Sequence, residues 1–172
     1  MSTEPSGRPN EGGPSASTLQ YLTFTLGDEV FAMDIRMVRE IIQYGAITVV
    51  PLMPAFVRGV INLRGAVVPV IDLKVRFDRE RANIGKKTCI IIFNSSYEGD
   101  RVQLGLMVDA VSEVIDISTA QIDPPPQFGS TIQREFISGM GKVDGEFVVI
   151  IEPDRALNIE EMAVLAEQGQ SV

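Results

Sequence analysis

Gly59-Val60-Ile61-Asn62-Leu63-Arg64-Gly65-Ala66-Val67-Val68-Pro69-Val70-Ile71-Asp72-Leu73 reads as two apolar strands folded back on each other at Arg64-Gly65-Ala66. Gly65 has no Cβ and takes positive φ at little cost, as a tight hairpin turn requires. Pro69 brings no backbone donor, which places the second strand at an edge or a bulge. One permanent charge, Arg64, stands in the middle of this apolar hairpin. A guanidinium held beside apolar surface needs a partner, and its planar fork suits a carboxylate. Two readings are open for it. One is an arginine at a hairpin end, solvated or paired within the fold; the other is a recognition arginine on a protein-binding surface.

More strands flank this hairpin. Leu22, Phe24 and Leu26 alternate with Thr23 and Thr25, the period of a half-buried strand. Gly27-Asp28 turns the chain, and residues 30–34 return as a second strand. Residues 35–42 are spaced for one helical turn or two. Further strands are expected over residues 89–94, 103–108, 114–117, 136–140 and 146–151, with Asp144-Gly145 a strong hairpin turn between the last two. Residues 94–100 form a polar hairpin loop in this reading. Many short strands at regular spacing predict small β-barrels rather than a helix-covered parallel sheet. One helix is expected at the end of the chain, over residues 158–168. There Ile159, Met162, Ala163 and Ala166 share a face, Asn158 is the N-cap and Glu161 sits in the first turn.

The chain repeats itself weakly. Val38-Arg39-Glu40-Ile41-Ile42 corresponds to Val111-Ser112-Glu113-Val114-Ile115, each after a strand hairpin and an aspartate, Asp34 or Asp109. The counterpart of the 59–73 hairpin is residues 136–152. With the matching strand order, this favours two related barrels side by side, the first mainly residues 22–87 and the second mainly 88–155. Residues 1–18 are mostly Ser, Gly and Pro and are expected to be a disordered tail ahead of a double-barrel domain over 19–157.

Composition excludes several functions. Of 172 residues, 15 are basic and 23 acidic, a net charge of −8 that disfavours nucleic-acid binding. No apolar run approaches the ~20 residues of a membrane-spanning helix, and no signal peptide opens the chain, so a soluble cytoplasmic protein is expected. The single cysteine, Cys89, lies in an apolar run, and there is no histidine. A thiolate metal site, a Cys-His nucleophile and the commonest general base are therefore missing, and neither cofactor nor metal is expected. Distant carboxylates could still converge into a small hydrolase site. A binding module is the simpler expectation.

The residues that carry a family resemblance are 24–29, Val38-Arg39-Glu40-Ile41, 54–65, Val68-Pro69-Val70-Ile71-Asp72-Leu73, 108–114 and 158–165. Together they resemble the CheW family of chemotaxis coupling proteins over roughly residues 20–167. The resemblance implies two five-stranded, SH3-like barrels with an apolar seam. It also implies a non-enzymatic adaptor that joins chemoreceptor signalling tips to the regulatory domain of the histidine kinase CheA. Such an adaptor would be cytoplasmic and recruited to membrane-associated receptor arrays. An alternative is an adaptor of the same fold in a chemosensory pathway other than swimming.

Carried over by motif, the receptor groove would use Val38, Gly59, Arg64, Val111 and Val114. The kinase or ring interface would use Ile35, Glu40, Ile41 and Phe128. Each also has a plainer reading. The valines suit a core; Glu40 could pair with Arg36 or Arg39; Gly59 could relieve backbone strain; Phe128 could plug its own barrel. The polar 95–100 loop and the Pro/Gly-rich tail depart from the simplest family pattern.

Overall fold

Arg64 (φ +53°) and Gly65 (φ +88°) are the central residues of the turn joining β4 (Val57–Leu63) to β5 (Ala66–Asp72). Positive φ at both positions is the type I′ geometry, whose twist matches that of the flanking strands. Asn62 Oδ1 accepts a hydrogen bond from the Gly65 amide at 3.0 Å and fixes the turn. Asp144 (φ +50°) and Gly145 (φ +82°) repeat this turn between β10 (Ile137–Val143) and β11 (Glu146–Ile151).

The computed structural model of the chain describes residues 17–77, 80, 83–97, 99–124 and 136–155. The remaining strands are β1 (Thr18–Leu26), β2 (Glu29–Asp34), β3 (Val38–Gln43), β6 (Cys89–Tyr97), β7 (Asp100–Val108), β8 (Ala110–Ser118) and β9 (Ile122–Asp123). Four-residue α1 (Leu73–Arg76) and three 3-10 turns complete the described elements. The fold is mainly β: two small barrel-like sheets, ordered β8-β1-β2-β11-β10-β9 and β3-β6-β7-β5-β4. The first has six strands rather than the expected five because the two-residue β9 adds to β10. The expected C-terminal helix lies outside the described residues, as does most of the expected tail.

The split expected near residue 87 does not separate the sheets. β1 to β5 and β6 to β11 are the repeated units, but they exchange their leading hairpins. β1 and β2 complete the sheet of β8 to β11, while β6 and β7 complete the sheet of β3 to β5. The exchange is sealed by equivalent parallel pairings, Val70 with Gly105 and Ile150 with Ala32. Parallel neighbours need a long crossover, and each unit supplies the other with one. A hairpin's own sequence carries no signal for which copy completes it.

Three apolar clusters explain the long hydrophobic runs. Tyr21, Ala32, Ile117, Val148 and Ile150 fill the first sheet's own core, and Ile61, Val68, Val70, Ile90, Ile92 and Met107 fill the second's. The third lies at the seam, where Leu22, Phe24, Leu26, Phe31 and Met33 meet Ile71, Ile91, Phe93, Leu104, Leu106 and Val108. Alternate residues of β6 thus face different cores, Ile90 and Ile92 one way and Ile91 and Phe93 the other. Strands buried on both faces read as continuous apolar runs rather than as alternation.

Two local expectations are corrected. Of residues 35–42, expected to be one helical turn or two, only Ile35–Met37 is helical, a 3-10 turn capped by Asp34, and β3 follows at once. The polar segment 94–100 is largely ladder, with Asn94 paired to Gln103 and Tyr97 to Asp100.

Candidate functional site

Asp34 ends β2 and its Oδ1 accepts from the Arg36 amide at 2.9 Å, turning the chain toward β3. The first residue of β3, Val38, stands opposite Phe93, a seam residue. Its repeat counterpart on β8, Val111, stands opposite Phe24, also a seam residue. Both valines are half-buried and pack on the same seam cluster, so the repeated position faces the seam from both sheets. Val114, further along β8, is exposed at 46%, and its counterpart Ile41 at 41%.

Irregular pairing shapes these strands. β1 and β8 slip between Leu22 and Phe24, and the buried Thr23 hydroxyl fills the gap. It donates to the Glu113 carbonyl at 2.9 Å and accepts from the Glu113 amide at 3.1 Å. β3 and β6 slip between Val38 and Glu40, where Arg39 is the extra residue. Asp109, which precedes the second copy as Asp34 precedes the first, does different work: it accepts from the Gly27 amide at 2.6 Å and pairs with Lys74 Nζ at 3.1 Å.

Arg64 is exposed and paired within the fold. Its guanidinium holds the Glu40 carboxylate through Nη2 and Oε1, with Nη1 to Oε2 at 3.4 Å. That hydrogen bond holds Glu40 below its ordinary carboxylate range and raises Arg64 above its own. Glu40 therefore pairs with neither Arg36 nor Arg39; Arg36 instead forks onto Asp34, with Nη2 to Oδ2 at 2.6 Å. Two residues that the motif assigns to different surfaces share one ion pair.

Gly59 has a structural role visible in the backbone. At φ +150°, a Cβ there would meet the Thr48 carbonyl oxygen at 2.4 Å and Ile47 Cγ2 at 2.5 Å. The missing side chain lets the segment after β3 bridge to Val60, with reciprocal hydrogen bonds of 2.9 and 2.8 Å to Thr48. Gly139, its repeat counterpart on β10, admits Ile122 and Asp123 in the same way. Ile35 is half-buried against the seam, and Phe128 lies outside the described residues.

Sequence reasoning passed over two features. Val49 and Leu52 are strongly exposed apolar residues in the segment that Thr48 ties to Val60. Buried Asp72 caps α1, accepting from the Lys74 and Val75 amides at 3.1 and 3.4 Å, and pairs with Arg58 at 3.2 Å. An aspartate ahead of a short helix was a legible capping signal; the arginine fourteen positions earlier on the neighbouring strand was not.

Among the described residues no group of three His, Cys, Asp or Glu side chains could hold a metal ion, and no helix is long and apolar enough to cross a membrane. Half-buried valines, exposed Ile41 and Val114, and an accessible charged pair make apolar contact and charge pairing, the chemistry of a binding surface.

Comparison with known proteins agrees in kind. A family model described as a CheW-like domain matches residues 20–161. The chain is 36% identical over 152 residues to the chemotaxis protein CheW of Klebsiella aerogenes, covering 88% of this chain and 89% of that protein. It is 36% identical over 142 residues to the chemotaxis protein CheW of Rhizobium meliloti, covering 83% and 89% respectively. The crystal structure of the scaffolding protein TtCheW from Thermoanaerobacter tengcongensis superposes with a TM-score of 0.75 at 35% identity, covering 90% of this chain and 96% of that one.

Proposed function

The chain belongs to the CheW family, and from this premise we propose which of its surfaces join which partners. It is a scaffold of chemotaxis signalling rather than an enzyme. In our reading it couples the cytoplasmic tips of chemoreceptors to the regulatory domain of the histidine kinase CheA, and works in the cytoplasm at receptor arrays.

The convergence of Val38 and Val111 on one seam carries the receptor assignment. A helical receptor tip laid along that seam would meet the two valines, with Val114 beside them. Helix-in-groove recognition needs such an apolar floor and a polar group that fixes register. Arg64 supplies the second: it is exposed, and its Glu40 partner can be exchanged for a receptor carboxylate. Gly59 acts at one remove, by letting the Thr48 segment close on β4. For the kinase we assign the part of β3 beyond the slip, with Ile41, on the same face as Val38, as the exposed apolar contact and Glu40 next to it in the chain on the opposite face. Ile35 supports the Ile41 face from the seam, and Phe128 is carried as a second ring contact on the family motif.

A pull-down of the purified chain with a receptor signalling fragment and, separately, with the kinase regulatory domain tests this reading. Val38→Ala with Val111→Ala should release the receptor fragment and keep the kinase domain. Loss of neither, in protein that melts normally, would overturn the receptor assignment.

A further inference from the structure

We propose that the pocket between the start of β3 and the β6–β7 hairpin is a docking site for an acidic peptide segment of a partner protein. The pocket is about 590 Å³; Arg36 and Arg39 line it from the start of β3, Asn94, Ser96 and Arg101 from the hairpin, and Asp154 lines it as well. In a chain of net charge −8, three arginines face one hollow. Arg36 is already occupied by Asp34. Arg39 and Arg101 are exposed and take no ion-pair partner among the described residues.

The hairpin that builds the second wall is the polar departure from the family pattern noted in the sequence. Because residues 94–97 pair as strand with residues 100–103, Asn94, Ser95 and Ser96 are held in place rather than left on a loop. The slip that makes Arg39 the extra residue of β3 sets it apart from Glu40, which turns to Arg64.

The chemistry favours a carboxylate carried on a peptide. Two arginine forks are donors for an oxyanion, and the exposed Ser96, opposite Arg101 in the ladder, lines the hollow with them. Asn94 adds the opposite demand: its Oδ1 is buried without a hydrogen-bond partner among the described residues. An acceptor left dry is costly until a donor reaches it. A peptide answers both needs, with a side-chain carboxylate for the arginines and a backbone N–H for Asn94. The hollow is polar and open at its arginines, unlike the enclosed apolar cavities that hold small molecules. Asp154, in the same lining, repels a carboxylate, so the acidic side chain of the bound segment is held on the arginines and away from it.

The test uses full-length, nitrogen-15-labelled protein and an end-blocked octapeptide alternating aspartate with glycine, followed by amide resonances. Parallel titrations use the matching asparagine–glycine peptide and sodium phosphate. The acidic peptide should shift, saturably, resonances at residues 36–39 and 94–101 together with the Asn94 side-chain amide. Arg39→Ala combined with Arg101→Ala should weaken binding about tenfold while melting stays native, and the double lysine variant should recover part of the loss. Equal binding by the alanine variant, or no saturable shift, overturns the proposal. Shifts of the arginines by phosphate as strong as by the peptide, with the Asn94 amide unmoved, would make the pocket a general oxyanion site and overturn the peptide assignment.

Discussion

Arg64, in the β4–β5 turn, grips Glu40 on β3, so side chains join the two end strands of one sheet where no strand ladder does. Both groups face solvent, and such pairs add little to stability. Arg64→Ala should therefore leave the melting midpoint close to that of the parent. Loss of a central interface arginine costs ~2 kcal/mol or more in binding, roughly a thirtyfold loss of affinity. Melting and receptor affinity, measured on the same preparation, check this. A charge exchange, Arg64→Glu with Glu40→Arg, should keep the native melt and still bind receptor poorly; recovered affinity would mean that the pair acts only by holding the strands.

Gly59→Ala should be costly and Gly65→Ala mild, although both residues have positive φ. A Cβ at Gly59 meets backbone at 2.4 Å, whereas at Gly65 it meets nothing within 4 Å. The expected losses are about 3 kcal/mol at Gly59 and about 1 kcal/mol at Gly65, read from urea denaturation midpoints. Comparable losses at the two positions would show that the Thr48 bridge is not what Gly59 protects.

Ile41→Glu and Ile35→Glu should separate binding from folding. Ile41 is 41% exposed, so the charged variant should melt within about 0.5 kcal/mol of the parent and lose kinase binding. Ile35 packs on the seam, so its glutamate variant should lose about 2 kcal/mol of stability. A poorly folded Ile41 variant would remove the kinase assignment from β3.

Asp72→Ala deletes a helix cap and leaves Arg58 largely buried, with its side chain 13% exposed, without that carboxylate. A loss of about 3 kcal/mol is expected. Asp72→Asn keeps one cap acceptor and should fall between the parent and the alanine variant; chemical denaturation of the three proteins orders them.

Asp34 and Glu152 should pull stability in opposite directions with pH. The Arg36 hydrogen bond lowers the Asp34 pKa in the folded chain. Its stabilising contribution is therefore present above the ordinary aspartate range and lost as pH falls through the lowered value. Burial, helped by the nearby Asp154 charge, raises Glu152. Its favourable state is the protonated one, present below the ordinary glutamate range and lost as pH rises through the raised value. Glu152→Gln should melt above the parent at neutral pH, with the advantage shrinking toward pH ~4. Asp34→Asn should melt below the parent at neutral pH and converge with it in stronger acid. Parallel curves across the pH series would refute both assignments.

The legible parts of this fold were those with a local cause. Alternation marked β1, and glycine turns marked the β4–β5 and β10–β11 hairpins. β3 was harder because the slip at Arg39 lets Val38 pack on the seam and Ile42 on the sheet's own core. Apolar residues then fall at 38, 41 and 42, the spacing of a helix. The candidate site divided in the same way. A fork at a hairpin turn announced a need for a carboxylate, yet Glu40 lies 24 positions away on a strand at the far end of the sheet order. No local rule joins the two.

The exchange of hairpins also orders events on the ribosome. The sheet of β3 to β7 is complete once residue 108 has emerged, but β1 and β2 must wait for strands that have not yet been made. Phe31 meets Val149 only about 120 residues later, so the oldest hairpin of the nascent chain stays open longest. During that interval it can be captured by the later strands of a neighbouring nascent chain. Closely spaced ribosomes on one message should therefore release some of this protein as intertwined pairs.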